Sequence, residues 1–252
     1  MAKYLTEFDT YAQYTAATLN LPNVSLVKST GKVYYKNIFA GASLGDILMW
    51  DNVNNKLVTT IGGNWSTDSF PIAQYEPIAI NIYPADQASD GKSRYMALKW
   101  ASNASATGST SKLDLMWGPN GDITSADATA LNGRANTDKA VAAMPNTSGN
   151  TQAEYPIFYA VNQFYTNGTS AGDWYVPSKG ELSLYQSNYS DISTKIQAIK
   201  TASSSIVNTV NDNQWTSTEG NALNAITLKG DSSWNNRSKG GSLYGVRGMI
   251  AL

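Results

Sequence analysis

Gly172-Asp173-Trp174-Tyr175-Val176-Pro177-Ser178-Lys179-Gly180-Glu181-Leu182 is the stretch from which the fold is read outward. Trp174 to Val176 has the aromatic and β-branched character of a short strand. Ser178 and Glu181 then stand three apart, the spacing at which a serine caps a helix and a glutamate returns the bond. Leu182, Leu184 and Tyr185 supply the apolar positions that follow. A strand therefore runs directly into a capped helix. Ser190 or Asp191 is positioned to cap a second helix, whose Ile192, Ile196 and Ile199 fall on one face.

Upstream, paired strands alternate with turns. Val24–Val27 and Val33–Tyr35 flank Ser29-Thr30-Gly31-Lys32, and Asp46–Trp50 and Lys56–Thr60 flank Asp51 to Asn55. Pro77–Tyr83 and Arg94–Lys99 form a third hairpin through Asp90-Gly91. Helices are expected over Glu7–Thr18, where Phe8, Tyr11, Tyr14 and Ala17 have near-helical spacing, over most of Ala126–Met144 with a break near Asn132-Gly133, and over Tyr155–Tyr165. Pro156 suits a first helical turn. The elements predict an α+β chain with small N-terminal β-hairpins over residues 1–75 and a larger mixed unit over 76–252.

Composition removes whole classes of chemistry. The 252 residues contain no histidine and no cysteine, which removes the commonest neutral-pH base, thiol nucleophiles, disulfides and most zinc sites. No catalytic residue, metal or cofactor is expected. Net charge is −1 with no basic block, so nucleic acid is not an expected partner. No apolar run reaches membrane-spanning length, so no membrane insertion is expected. Only 15% of residues are charged, whereas Asn, Ser, Thr and Gly are plentiful, the make-up of an uncharged, hydrogen-bonding outer surface. The start, Met1 to Asp9, is polar and acidic, unlike a secretory signal. A virion component, released by lysis, meets both conditions; a bacterial surface protein with its leader removed is the alternative.

The order of pieces, from the Asp90-Gly91 hairpin through Asn132-Gly133-Arg134-Ala135-Asn136-Thr137, Asp173 to Leu182, Trp215-Thr216-Ser217-Thr218-Glu219 and a terminal Val246-Arg247-Gly248 strand, resembles the C-type lectin-like fold of variable proteins diversified by retroelements. The N-terminal hairpins, with Leu21-Pro22-Asn23-Val24-Ser25, are similar to leaders of phage structural proteins. The resemblance covers roughly residues 76–252 well and the first 75 loosely. It implies a receptor-binding protein of a phage tail tip or fibre, built as a homotrimer, that recognises a bacterial surface protein or glycan. The related formylglycine-generating enzymes need cysteines, which are absent, and no Glu-Pro-Asn or Gln-Pro-Asp calcium motif of sugar-binding lectins occurs.

The same resemblance divides the last forty residues. Trp215–Glu219 and Val246–Leu252 are expected as buried frame, with Trp174 and Trp215 in the core and Arg247 in an ion pair with Glu219. Between them, Ala222 and Ala225 keep frame spacing. Asn221, Leu223, Asn224, Ile226, Ser232, Ser233, Trp234, Asn235, Asn236, Ser238, Ser242, Leu243 and Tyr244 are the candidate ligand-binding residues, expected on one exposed face. Trp and Tyr supply large contact area at small entropic cost, and Ser and Asn supply adaptable hydrogen bonds. A rival reading is a carbohydrate-active enzyme with two carboxylates, which requires a pocket shared by acids such as Asp173, Glu181 or Glu219.

Overall fold

The structure is a computed structural model. It describes residues 43–60, 65–66, 68–121, 123–124, 126–127, 129–144, 154–203, 213–229 and 233–252, together with four strands before residue 43. Those four are β1 (Leu5–Phe8), β2 (Val24–Val27), β3 (Lys32–Tyr35) and β4 (Ile38–Phe39). They form one sheet in chain order, with β1 parallel to β2 and the remaining pairs antiparallel. Glu7 and Phe8, expected to begin a helix, instead pair with Leu26 and Val27; the rest of that expected helix lies outside the described residues. Strand pairing outweighs a spacing that only resembles a helical one.

The larger unit begins with β5 (Ile47–Asp51), β6 (Lys56–Thr59), β7 (Tyr75–Tyr83) and β8 (Arg94–Ala97). Among the described residues four α-helices follow: α1 (Gly133–Ala143), α2 (Pro156–Gln163), α3 (Lys179–Ser187) and α4 (Tyr189–Ala202). The chain ends with β9 (Gln214–Asn221), β10 (Asn224–Lys229), β11 (Ser233–Ser238) and β12 (Met249–Ala251). The chain is thus mixed α+β. Among the described residues no helix is long and apolar enough to cross a membrane.

Two sheets organise this unit. A five-stranded antiparallel sheet has the order β12-β8-β7-β5-β6, and a three-stranded one has the order β11-β10-β9. The second and third expected hairpins are both present, β5 with β6 and β7 with β8. Because β5 also pairs with β7, the larger sheet takes two strands from before residue 75 and three from after it. It therefore straddles the boundary expected there.

Both faces of that sheet are covered. Leu48, Ala79, Tyr95 and Ala97 face a core that holds Trp117, Phe158, Phe164, Trp174 and Trp215. Ile47, Met49, Ile80 and Met96 face a second core with Leu182, Tyr185, Ile192, Ile196 and Ile199 from α3 and α4. Successive strand residues point to opposite faces, so a strand buried on both sides reads as a continuous apolar run such as Ile47-Leu48-Met49.

The opening motif takes its predicted form at the cap. Ser178 Oγ accepts from Glu181 N at 3.3 Å, and Ser178 N donates to the Glu181 carboxylate at 2.8 Å. The strand before it is reduced to one bridge, Tyr175 with Met249, closed by two backbone bonds of 2.9 and 2.8 Å. The next helix starts one residue before the expected caps, with Asn188 in the capping position and Asp191 in the first turn, where its charge suits the helix dipole. Helix α1 begins at the break expected near Asn132-Gly133, and the stretch expected to be helical before it is not. Asp127 Oδ1 binds the amides of Thr129 and Ala130 and the Thr129 hydroxyl, a local turn that competes with helix. Gly133 then begins the helix against α3, where a Cβ would collide with the Glu181 carboxylate and the Ser178 and Val176 backbone.

Candidate functional site

The two expected frame segments are buried, Trp215 to Glu219 on one side and Val246, Arg247, Met249 and Ile250 on the other, except that Ala251 and Leu252 are half-buried. They are tied to the rest of the chain through indole and backbone donors. Trp215 Nε1 donates to the Leu115 carbonyl and Trp117 Nε1 to the Thr216 carbonyl, each at 2.8 Å. Ser217 N donates to Pro177 O at 2.7 Å, and Lys179 N to Thr218 Oγ1 at 2.9 Å, which fastens β9 to the start of α3.

At the centre of the frame lies a buried ion pair. Lys239, 0% exposed, places Nζ 3.0 Å from Oε1 of Glu219, 2% exposed. The same oxygen accepts the amides of Ile123 and Thr124 at 2.8 and 2.9 Å. Lys239 Nζ also donates to the Gly121 carbonyl at 2.5 Å and stands 4.7 Å from the centre of the Trp117 ring. Glu219 thus takes Lys239 as an ion-pair partner, and the guanidinium of Arg247, the cation expected there, lies 4.2 Å from the Trp100 ring. Lys239 is hard to single out in the sequence, because it sits in a polar run two residues after another cation, Arg237.

The candidate ligand-binding residues separate into three groups. Asn221 and Leu223 in the β9–β10 turn, and Leu243 in the loop after β11, are exposed; Leu223 and Leu243 at 59% and 55% are the large apolar residues laid open here. Asn224, Ser242 and Tyr244 are half-buried beside them. Ile226 is only 8% exposed and belongs to the interior, a correction to its expected role.

Strand β11 divides the third group. Its register places Trp234 opposite Leu228, Asn236 opposite Ile226 and Ser238 opposite Asn224, whereas Ser233 and Asn235 stand opposite Lys229 and Thr227. Directly opposed residues share a face. Trp234, Asn236 and Ser238 therefore lie on one side, and Ser233 and Asn235 on the other. The single face expected for all of them is not formed. Ser232 lies outside the described residues.

The two expected aromatic anchors are partly occupied by the protein itself. Trp234 packs on the second core with Lys179 Nζ 5.3 Å from its ring centre. Tyr244 meets Trp215 edge to face at 5.1 Å. The open apolar contacts are leucines instead. Their backbone is held in place: Lys239 N donates to Leu223 O at 3.1 Å, Gly121 N to Ala222 O at 2.7 Å, and Tyr244 bridges Leu115 through bonds of 3.0 and 3.2 Å.

The carboxylates of the opening motif line a separate pocket of about 600 Å³ that includes Asp90, Arg94, Arg134, Asp173, Tyr175 and Glu181. Glu181 is buried and accepts four donors: Ser178 N, Ser178 Oγ, Tyr175 Oη at 2.9 Å and Arg94 Nε at 3.4 Å. Burial raises its carboxyl above the ordinary range, against the lowering from Ser178, Tyr175 and Arg94. Arg94 also holds Asp90 through two bonds of 2.7 and 2.9 Å, which keeps the Asp90 carboxyl below its usual range. Asp173 accepts Ser170 N at 2.7 Å, closing a turn. Asp173 and Glu181 thus share a pocket but serve turn and cap, and Glu219 belongs to the other site. Among the described residues no group of acids is arranged to hold a metal ion.

No family model matches the chain, and no curated protein does. A solved fimbrial protein from Bacteroides ovatus has a similar fold, with a TM-score of 0.52 at 14% identity over 83% of this chain and 49% of that one. The chain therefore spans about half the length of that protein. At this identity the likeness is one of fold.

Proposed function

We propose that the chain is a non-enzymatic recognition protein with a C-type lectin-like fold, and that the Asn221–Asn224 turn and the Ser238–Tyr244 loop contact a protein or glycan on a bacterial surface. The observation that carries this reading is the pairing of exposed Leu223 and Leu243 with a backbone fixed from below. Lys239, buried against Glu219, anchors the loop to the turn through its own amide. Apolar side chains on a fixed backbone bind at lower entropic cost than the same side chains on a loose loop. Asn221 and Asn224 flank Leu223, Ser242 precedes Leu243 and Ser238 pairs with Asn224, so groups that both donate and accept are available for a polar rim.

Two carriers fit this role. The sequence resemblance favours a phage tail component, trimeric and diversified at this surface. The fimbrial neighbour favours an adhesin displayed by a bacterial cell. A near-copy of the terminal coding segment beside a reverse transcriptase gene would support the first, and its absence with a fimbrial operon around the gene would support the second.

The test of the shared reading is binding of fluorescently labelled chain to a panel of Bacteroides strains, scored by flow cytometry. Leu223→Asp combined with Leu243→Asp should lower cell binding about tenfold or more, the loss of one or two central apolar contacts, with an unchanged melting temperature. Undiminished binding by this variant overturns the assignment.

A further inference from the structure

The pocket beside the capped helix shares no lining residue with the recognition surface, and it is built to hold something small. At about 600 Å³ it falls within the range of ligand sites. Its apolar part comes from Leu57 of β6, Leu131 just before α1 and Ile250 of β12. Its polar part comes from Lys92, Asn132, Arg134 and Asp173. Segments distant in sequence thus converge on one concavity.

The polar groups are set in place and not fully used. The Arg134 guanidinium lies 4.9 Å from the centre of the Tyr175 ring and donates to the carbonyls of Gly172, at 2.7 Å, and Asp173. A guanidinium has five N–H donors, so others remain. One Asp173 oxygen accepts Ser170 N, and the second accepts no bond among the described residues. Asn132 accepts from Asn136 through its side-chain oxygen at 3.2 Å, while its amide nitrogen donates none among the described residues.

Charge narrows the ligand class. Lys92, Arg94 and Arg134 are matched by Asp90, Asp173 and Glu181, so the pocket offers no dominant sign to attract an ion. Donors and acceptors around an apolar floor suit hydroxyls, each of which donates and accepts, joined to C–H faces that pack on Leu57 and Ile250. We propose that this pocket is a second binding site, for the neutral end of a saccharide. It binds without cleaving, because the carboxylate oxygens of Glu181 are already engaged by four donors.

The test is titration of the ¹⁵N-labelled full chain with glucose, galactose, mannose and N-acetylglucosamine, following amide shifts of Arg134, Ala135, Gly168 and Gly172. At least one sugar should give saturable shifts with a millimolar dissociation constant, the range expected of a ligand this small. Ala135 lines the pocket from an exposed helical position, so Ala135→Trp fills the space without disturbing the core. It should weaken binding about tenfold or more, whereas Leu223→Asp with Leu243→Asp should leave it unchanged. The assignment is overturned by the absence of saturable shifts up to about 100 mM or by shifts that survive Ala135→Trp. A stronger response to glucuronate than to glucose, or release of sugar from an aryl glycoside, would overturn it too.

Discussion

Lys239 and Glu219 show why a buried charge must be judged by its partners. Each would be costly alone, and together they are neutral, hydrogen-bonded and enclosed by Trp117 and the backbone of Gly121, Ile123 and Thr124. Removing one partner of such a pair typically costs about 3–5 kcal/mol, because the other is left uncompensated. Lys239→Met should therefore lower the urea midpoint strongly, and Lys239→Met with Glu219→Gln should lose less than the sum of the single changes. Strict additivity in that cycle would show that the pair is not coupled. The pH dependence of Glu181 is a second expectation at this scale. Burial raises its carboxyl above the ordinary 4.5, so the folded state holds the proton more tightly than the unfolded one. Its contribution to stability is present below pH 4.5 and is lost as pH climbs through the raised value. Asp90 has the opposite sign: its carboxyl is lowered from 3.8, and its contribution is lost only as pH falls through that lowered value. The melting-temperature advantage of the native chain over Glu181→Gln should narrow from pH 4.5 towards neutrality. An advantage that widens would contradict the assigned direction.

Elements differ in how far local sequence determines them. The Ser178–Glu181 cap was legible because both partners lie within one helical turn, and Ile192, Ile196 and Ile199 were legible because their spacing alone puts them on one face. The hairpins were legible from apolar runs around turn residues. The start of helix α1 was legible at Asn132-Gly133, but the stretch before it was not, since Asp127 closes a turn that composition does not distinguish from a helical start. Exposure of the candidate residues was legible at Asn221, Leu223 and Leu243 and not along β11. Whether Trp234 or Asn235 faces outward depends on register with β10, and one residue of slip exchanges the faces. The buried frame needed no register, because Trp215–Glu219 is enclosed on both faces. Trp234 opposite Leu228, packed on the second core, should behave as a stabilising residue. Trp234→Ala should lower stability by about 1–2 kcal/mol, as for partial loss of an apolar contact, while cell binding changes less than twofold, within about 0.4 kcal/mol. A large loss of binding at unchanged stability would return Trp234 to the recognition surface.

At the scale of the whole molecule, the five-stranded sheet joins the ends of the larger unit. β12 pairs with β8, β8 with β7, β7 with β5 and β5 with β6, so residues before 75 complete a sheet whose far edge is formed near residue 250. The sequence placed a boundary near residue 75 because a loop-like stretch from Gly62 to Tyr75 separates two hairpins. Loop composition records where the chain turns, not which strands pair across the turn. Ile47, Leu48 and Met49 are fully buried between the two cores. Burying one such side chain contributes about 1.5–3 kcal/mol, so losing all three approaches the whole stability of a typical domain, about 5–15 kcal/mol. A fragment of residues 76–252 should therefore fail to fold cooperatively, whereas one of residues 43–252 should retain a single sharp transition and dispersed amide resonances. A well-dispersed spectrum from residues 76–252 alone would show that β5 and β6 are accessories to the larger unit and would restore the boundary at residue 75.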